Sequence, residues 1–186
     1  MSDLFQQHGL TLRDVQPGDA PALVEILNYY VLNSVATLDT EPLEAAFFDA
    51  KFKAVEAFGG PFLVLASQES DKALAYAYGA AYRPKKGYNS TTELTIYLDP
   101  SITGKGIGPA LLHALVERCR AAGFKLAISV ITVDPAVGAA SMPSGKLHLR
   151  AGFQLKGELE SVATKNGQFW DTAEFTLDLA PHRTTP

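Results

Sequence analysis

Three glycines alternate with other residues in Gly104-Lys105-Gly106-Ile107-Gly108, and this is the strongest chemical signal in the chain. Glycine lets a backbone approach a ligand closely and adopts φ angles that other residues avoid. The residues that follow have helical spacing, and the start of a helix offers free N–H groups and the positive end of a dipole. Lys105 adds a charge. A phosphate or pyrophosphate suits such a loop; a glycine turn that merely caps a helix is the other reading. A Walker A loop is excluded, because Asp99 stands where its first glycine would be and Gly106 where its Ser or Thr would follow the lysine. A dinucleotide loop is a poor match as well: the spacing is Gly-x-Gly-x-Gly, and the loop comes late in the chain rather than in an opening βαβ unit.

Just before this loop, Glu93 to Leu98 alternates, with Leu94, Ile96 and Leu98 on one face and Glu93, Thr95 and Tyr97 on the other. Glu93 is therefore a strand carboxylate close to a candidate anion site. It reads either as a proton acceptor or as an ordinary exposed or salt-bridged acid. Cys119 falls on an apolar helix stripe and reads as core. His113 lies on the polar face of the same helix; His8 and His182 lie near the termini and carry no signal. No Cys/His cluster suggests a metal.

Those groups need elements to hold them. Leu10 to Val15 reads as a short strand. Asp19 reads as an N-cap ahead of a helix with Leu23, Ile26, Leu27 and Tyr30 on its apolar face. A second helix is expected over about Pro42 to Phe58, stopped by Gly59-Gly60. Phe62 to Ala66 and Leu74 to Tyr82 read as a strand pair, with Tyr76, Tyr78 and Tyr82 on one face. After the glycine loop, Ile107, Ala110, Leu111, Ala114, Leu115 and Cys119 mark a strong helix that Gly123 closes. Leu126 to Ile131 reads as a buried strand, Pro135 to Pro143 as a loop, and Leu147 to Arg150 as a short helix. Strands over about Phe153 to Glu160 and Phe169 to Leu179 flank a turn at Asn166-Gly167. The order β-α-α-β-β-β-α-β-α-β-β implies an α/β (α+β) fold, a mixed sheet with helices on its faces.

The chain has 186 residues, 47% hydrophobic and 19% charged, which suits one domain, with a core over about 10–179 and a frayed tail from Pro181 to Pro186. A net charge of −4 offers no basic face for nucleic acid. No apolar run is long enough to cross a membrane, and the N-terminus has no signal-peptide pattern. The single cysteine precludes an intrachain disulfide, and a reducing cytoplasm is the expected compartment.

Several stretches, taken with the glycine loop, resemble a known family. Thr103-Gly104-Lys105-Gly106-Ile107-Gly108 resembles the pyrophosphate loop of the GNAT acetyltransferase superfamily. Leu27 to Asn33 followed by Ala36-Thr37, Tyr82-Arg83-Pro84 followed by Tyr88, Glu93 to Leu98, Ser144 to Phe153, and Lys165 to Asp171 are similar, in that order, to its phosphinothricin and methionine-sulfone acetyltransferase branch. The likeness covers nearly the whole chain. It implies a GNAT fold with a mixed, mostly antiparallel sheet and helices on both faces. It also implies N-acetyl transfer from acetyl-CoA to a small amino-acid-like amine, and a homodimer. The alternatives are acetylation of protein N-termini or another amine, and a non-catalytic acyl-CoA-binding module.

The resemblance also implies roles. Glu93 is then the general base, and the N–H of Leu98 the oxyanion donor, given a bulge at the strand's end. His148 falls where the superfamily often places a residue near the sulfur, to protonate the thiolate; packing on a helix face is its other reading. Ile96, Tyr97, Leu98, Thr103, Gly104, Lys105, Gly106, Ile107, Gly108, Pro109, Ser141 and Ser144 are the expected acetyl-CoA contacts. Asn28, Thr37, Tyr78, Arg83 and Tyr88 are the expected acceptor contacts, with Arg83 suited to a carboxylate, phosphinate or sulfone oxygen. The sequence departs from the family in four places, one of them Asn89, where many relatives carry arginine. Thr103 replaces the usual Gln or Arg. The stretch from Ile131 to Ser144 is longer and lacks the usual asparagine, leaving Asp134 and Ser141 as stand-ins. Phe169 replaces a tryptophan.

Overall fold

The structure is a computed structural model and describes residues 2–180; the expected tail from Pro181 and His182 lie outside the described residues. The chain runs α1 (Ser2–Gln7), β1 (Leu10–Asp14), α2 (Ala20–Asn33), α3 (Ala46–Phe58), β2 (Phe62–Ser67), β3 (Ala73–Ala81), β4 (Thr91–Leu98), α4 (Ile107–Ala121), β5 (Leu126–Val133), α5 (Pro143–Arg150), β6 (Gln154–Lys165) and β7 (Gln168–Asp178). The strands form one seven-stranded sheet in the order β1-β2-β3-β4-β5-β7-β6. Every pairing is antiparallel except β4 with β5. The sheet buries both faces. Leu63, Leu65, Leu94, Ile131 and Phe175 pack against Phe5 of α1 and Leu111, Leu115 and Cys119 of α4. On the other face Phe62, Val64, Tyr76 and Tyr78 pack against Leu23, Ile26 and Leu27 of α2 and Phe48 and Val55 of α3.

Most elements follow the apolar periodicities, and the differences have local causes. Helix α1 was not expected from so short and polar a segment; it forms because Phe5 is buried against the α4 side of the sheet. Asp19 precedes α2 but does not cap it with its side chain. Its buried carboxylate instead accepts two bonds of 2.8 Å from Arg13 and one of 2.7 Å from the Gln16 N–H. Helix α3 begins at Ala46 rather than Pro42. Helix α5 begins at Pro143, four residues before the expected start, because proline is preadapted to the first helical turn. β6 runs to Lys165 and turns through Asn166-Gly167, both at positive φ. Its residues are almost all exposed, so no alternation marked its length.

Candidate active site

The sheet opens in the middle. β4 and β5 pair only at Thr91 with Leu126, Thr92 with Ala127 and Glu93 with Ile128. Beyond that point β4 stays with β3 as far as Leu98, while β5 stays with β7 as far as Val133. The two strands diverge from a vertex at Glu93. The backbone along the open edge is fixed by alternation. The Ser90 carbonyl accepts from Lys125 on the β5 side, and the Asp99 N–H donates to Leu74 on the β3 side, at 2.8 and 2.7 Å. Even-numbered β4 residues therefore turn their N–H groups toward the opening, which puts those of Ile96 and Leu98 there. The expected bulge at Leu98 is not present: the β3–β4 register is unbroken from Thr92 to Leu98, and the opening comes from the splay of β4 from β5.

The glycine loop lies where β4 ends and α4 begins. Gly104 and Gly106 have φ of 75° and 77°, the left-handed region that favours glycine. A Cβ on Gly104 would meet nothing within 4 Å, so the space before that turn is open. Among the described residues, the N–H groups of Gly104, Lys105, Gly106, Ile107 and Gly108 donate to no protein acceptor. Pro109 has no N–H to offer. The result is a cluster of free donors at a helix N-terminus, fit for a pyrophosphate. Thr103 and Lys105 are exposed and bonded within the loop, the hydroxyl to the Pro100 carbonyl and the ammonium to the Ser101 carbonyl, each at 2.9 Å.

On the α2–α3 face, Glu93 is half-buried beside Tyr78, Thr95 and Tyr97. Burial lifts its carboxyl above the ordinary value, Glu174 pushes it further up, and Lys51 draws it back. A half-desolvated carboxylate with a raised pKa is suited to take a proton near neutral pH. Tyr97, expected with the cofactor residues, faces this side instead: its hydroxyl donates to the Ala36 carbonyl at 2.9 Å and its ring packs on Tyr30 and Tyr76.

The segment after α2 closes this side. Both ends of the Asn28 amide bond Leu43, accepting from its N–H at 2.8 Å and donating to its carbonyl at 2.9 Å, so Asn28 shapes the segment. Thr37 is buried and bonds Asp39 through its hydroxyl at 2.7 Å. Its carbonyl accepts from Lys165 at 2.8 Å. Lys165 comes from the far hairpin and is 3% exposed; burial lowers its pKa against the pull of Asp39. Tyr30 donates to the Leu98 carbonyl at 2.7 Å, tying α2 to the end of β4. Arg83 and Tyr88 lie just beyond β3, both exposed. The Arg83 guanidinium stacks over Tyr82 and Tyr88 at 4.9 and 5.8 Å, and Tyr82 donates to Glu174.

His148 sits in the core rather than at an open sulfur site. It is 2% exposed and packed against Phe153 and Phe175. Its Nδ1 lies 2.8 Å from the Ser144 carbonyl. A carbonyl only accepts, so Nδ1 carries the proton and Nε2 is a bare, buried acceptor without a partner. Burial lowers its pKa and keeps it neutral. A neutral ring with its proton spent on Ser144 is a poor acid for a thiolate; packing accounts for its contacts. Ser144 is half-buried at the start of α5, and Ser141 is exposed on a 3₁₀ turn before it. Asp134 uses its carboxylate to accept from the Ala136 N–H.

Sequence reading missed Tyr30, Lys51 and Lys165. Lys165 lay inside a stretch already singled out for family likeness. Lys51 follows Phe47 and Phe48 by one helical turn, a charge on an apolar stripe, which is a signal in itself. Tyr30 was read only as part of the α2 apolar face.

A mixed sheet parted between two parallel strands, with a glycine-rich anion loop at the end of one of them, defines an acyl-transfer fold. The chain belongs to the GNAT acetyltransferase family, whose profile, described as "Acetyltransferase (GNAT) family", matches residues 24–153. Within the family it is 34% identical over 176 residues to an L-methionine sulfoximine/L-methionine sulfone acetyltransferase of Pseudomonas paraeruginosa, covering 95% of this chain and 98% of that one. It is 33% identical over 162 residues to a phosphinothricin N-acetyltransferase of Alcaligenes faecalis, covering 87% and 79%. The crystal structure of a phosphinothricin acetyltransferase from Sinorhizobium meliloti in complex with AcCoA superposes with a TM-score of 0.85 at 36% identity, covering 96% of this chain and 92% of that one.

Proposed function

We propose that this acetyltransferase transfers the acetyl group of acetyl-CoA to the α-amine of a small amino-acid-like acceptor, by direct attack with Glu93 as base. One observation carries the reading: Glu93 stands at the vertex where β4 and β5 part, between an edge of free N–H groups and a half-buried polar face. Acetyl-CoA supplies the acetyl group as a thioester. The N–H groups of Gly104 to Gly108 hold its pyrophosphate, and the Ile96 N–H and Ser144 face its pantetheine arm. The Leu98 N–H points at the position of the acetyl carbonyl oxygen and offsets the charge that grows there. An amino group is protonated at neutral pH, and Glu93 takes its proton, through water, as the amine attacks. Thr37, Tyr78, Arg83 and Tyr88 border the acceptor, with Asn28 acting through Leu43. No side chain is assigned to the thiolate, which is a tolerable leaving group without one.

Likeness over most of the chain to methionine sulfone, methionine sulfoximine and phosphinothricin acetyltransferases supports the acceptor class. So does the presence of Arg83 and Lys51, since a zwitterion needs donors for its carboxylate and a base for its amine. The chain acts as one domain in a reducing cytoplasm and pairs with a second copy. Val130, opposite Glu174, and Leu159, opposite Thr172, are exposed side chains on the same side of the β5–β7–β6 part of the sheet, and exposed apolar groups gathered on one side favour association.

Acetyl-CoA turnover followed by thiol release tests this on a panel of methionine sulfone, methionine sulfoximine, phosphinothricin, spermidine and an N-terminal peptide. The amino-acid analogues are expected to have the higher kcat/KM. A higher kcat/KM for spermidine or the peptide than for every analogue overturns the acceptor class.

A further inference from the structure

Helix α3 places a lysine among its core-facing rings. Lys51 lies one turn after Phe47 and Phe48 and directly before Phe52. Its ammonium stands 5.3 Å from the centre of the Phe47 ring and 5.6 Å from that of Tyr78. Aromatic faces attract a cation but accept none of its N–H bonds with the strength of a carboxylate.

Several other cations of the described residues have an anionic or carbonyl partner. Arg13 is paired with Asp19 and Asp71, Lys72 with Glu25, and Arg118 with Asp14. Lys165 is bonded to the Thr37 carbonyl and Lys105 to the Ser101 carbonyl. No ion pair or hydrogen bond of Lys51 occurs among the described residues. Lys51 sits over Tyr78, whose partner across β3–β4 is Thr95, the next residue to Glu93 on that face of the strand, and its charge draws the Glu93 carboxyl down. A half-buried ammonium, seated on two rings, with three unspent donors and the proposed base as its charge neighbour, is arranged for an anion that arrives with the substrate.

The chemistry of an amino acid says which anion. Its amine and its carboxylate share one carbon, so the base that takes the amine's proton and the cation that binds the carboxylate must be neighbours. Glu93 and Lys51 meet that condition. Arg83 stands on Tyr82 and Tyr88 beyond the end of β3, fully exposed, a place that suits the far end of the acceptor side chain. We propose that Lys51 is a specificity-determining residue that binds the acceptor's α-carboxylate, so that the enzyme selects amino acids over simple amines. The inference rests on the amino-acid acceptor and on Glu93 as base, both proposed above.

The test compares two acceptors that differ in one group: methionine sulfone and its decarboxylated counterpart, 3-(methylsulfonyl)propan-1-amine. Each is assayed with acetyl-CoA on wild type, Lys51→Met and Lys51→Arg, across pH 6–9, with the Tm of each variant checked. Wild type prefers the amino acid. Lys51→Met raises KM for methionine sulfone about 10- to 100-fold, the factor for losing a charge-assisted bond. Above the acidic limb it leaves the KM values for acetyl-CoA and for the amine unchanged, it moves that limb to higher pH alike on both acceptors because Lys51 no longer draws Glu93 down, and Lys51→Arg retains most of the preference. Equal rises in KM on both acceptors mean that Lys51 acts only through Glu93 and overturn the proposal. No change on either acceptor overturns it as well. A wild type that prefers the decarboxylated amine overturns the acceptor class itself, a separate result.

Discussion

Glu93 and His148 show how the same kinds of side chain take opposite parts according to what surrounds them. Both are shifted chiefly by burial. Burial raises an acid and lowers a base, since in each case it disfavours the charged form. Glu93 keeps one side toward the opening, and its raised value makes it a better base. His148 is enclosed by Phe153 and Phe175 and stays neutral. A lowered histidine pKa has a consequence for stability. The unfolded chain binds the proton near pH 6.5 and the folded chain only at lower pH, so the stability held above pH 6.5 is lost as pH falls toward the folded value. Thermal unfolding of wild type between pH 7.5 and 5.5 should show a falling Tm, and His148→Phe, which has no proton to gain, should show a flatter course. An equal slope in both proteins would remove His148 from the account of acid sensitivity. From the sequence His148 could be read either way, because a histidine beside a helix reveals nothing of which rings will close over it.

Elements position these residues through a few long-range bonds. The segment between α2 and α3 has no regular structure of its own, and it is held from three directions: by Asn28 below, by Tyr97 from β4 and by Lys165 from the β6–β7 hairpin. Replacing Lys165 by Met leaves the buried Thr37 carbonyl without its donor, which costs about 1–3 kcal/mol. Denaturant unfolding of Lys165→Met should read that loss, with faster hydrogen exchange in residues 34–45 and unchanged acetyl-CoA affinity. Exchange as slow as in wild type would show that the segment does not depend on Lys165. The helices and strands themselves were legible because Leu23, Ile26 and Leu27, or Leu111, Leu115 and Cys119, repeat at the helical period, and Glu93 to Leu98 alternates. The start of α5 was not, because Gly145 hides a helix that Pro143 begins. Nor was the length of β6, whose exposed residues follow no pattern. Tertiary contacts such as Lys165 with Thr37, far apart in sequence, leave no local trace at all.

At the scale of the whole molecule, the sheet is two half-sheets that meet at three residue pairs and then separate. On the function proposed above, acetyl-CoA enters that separation and the acceptor lies on the α2–α3 face, with Glu93 at their junction. The glycine loop pointed to the donor side from sequence alone, since Gly104 and Gly106 take left-handed angles that few other residues accept. The split could not be read, because pairing between strands depends on which partner each edge finds: β5 continues with β7, and β4 with β3. The expected bulge at Leu98 fails for the same reason; an edge freed by divergence turns its N–H groups outward without one. The measurement that reaches the centre of this account is the pH–rate profile of Glu93→Gln beside wild type, with methionine sulfone and saturating acetyl-CoA. Wild type should lose rate as pH falls through the raised pKa of Glu93, where the base becomes protonated. The variant should run about 10²–10⁴ slower, without that acidic limb. Its affinity for CoA should be unchanged, and its Tm no lower, since a desolvated carboxylate has been replaced by a neutral amide. A variant with near wild-type rate and the same acidic limb would contradict the account.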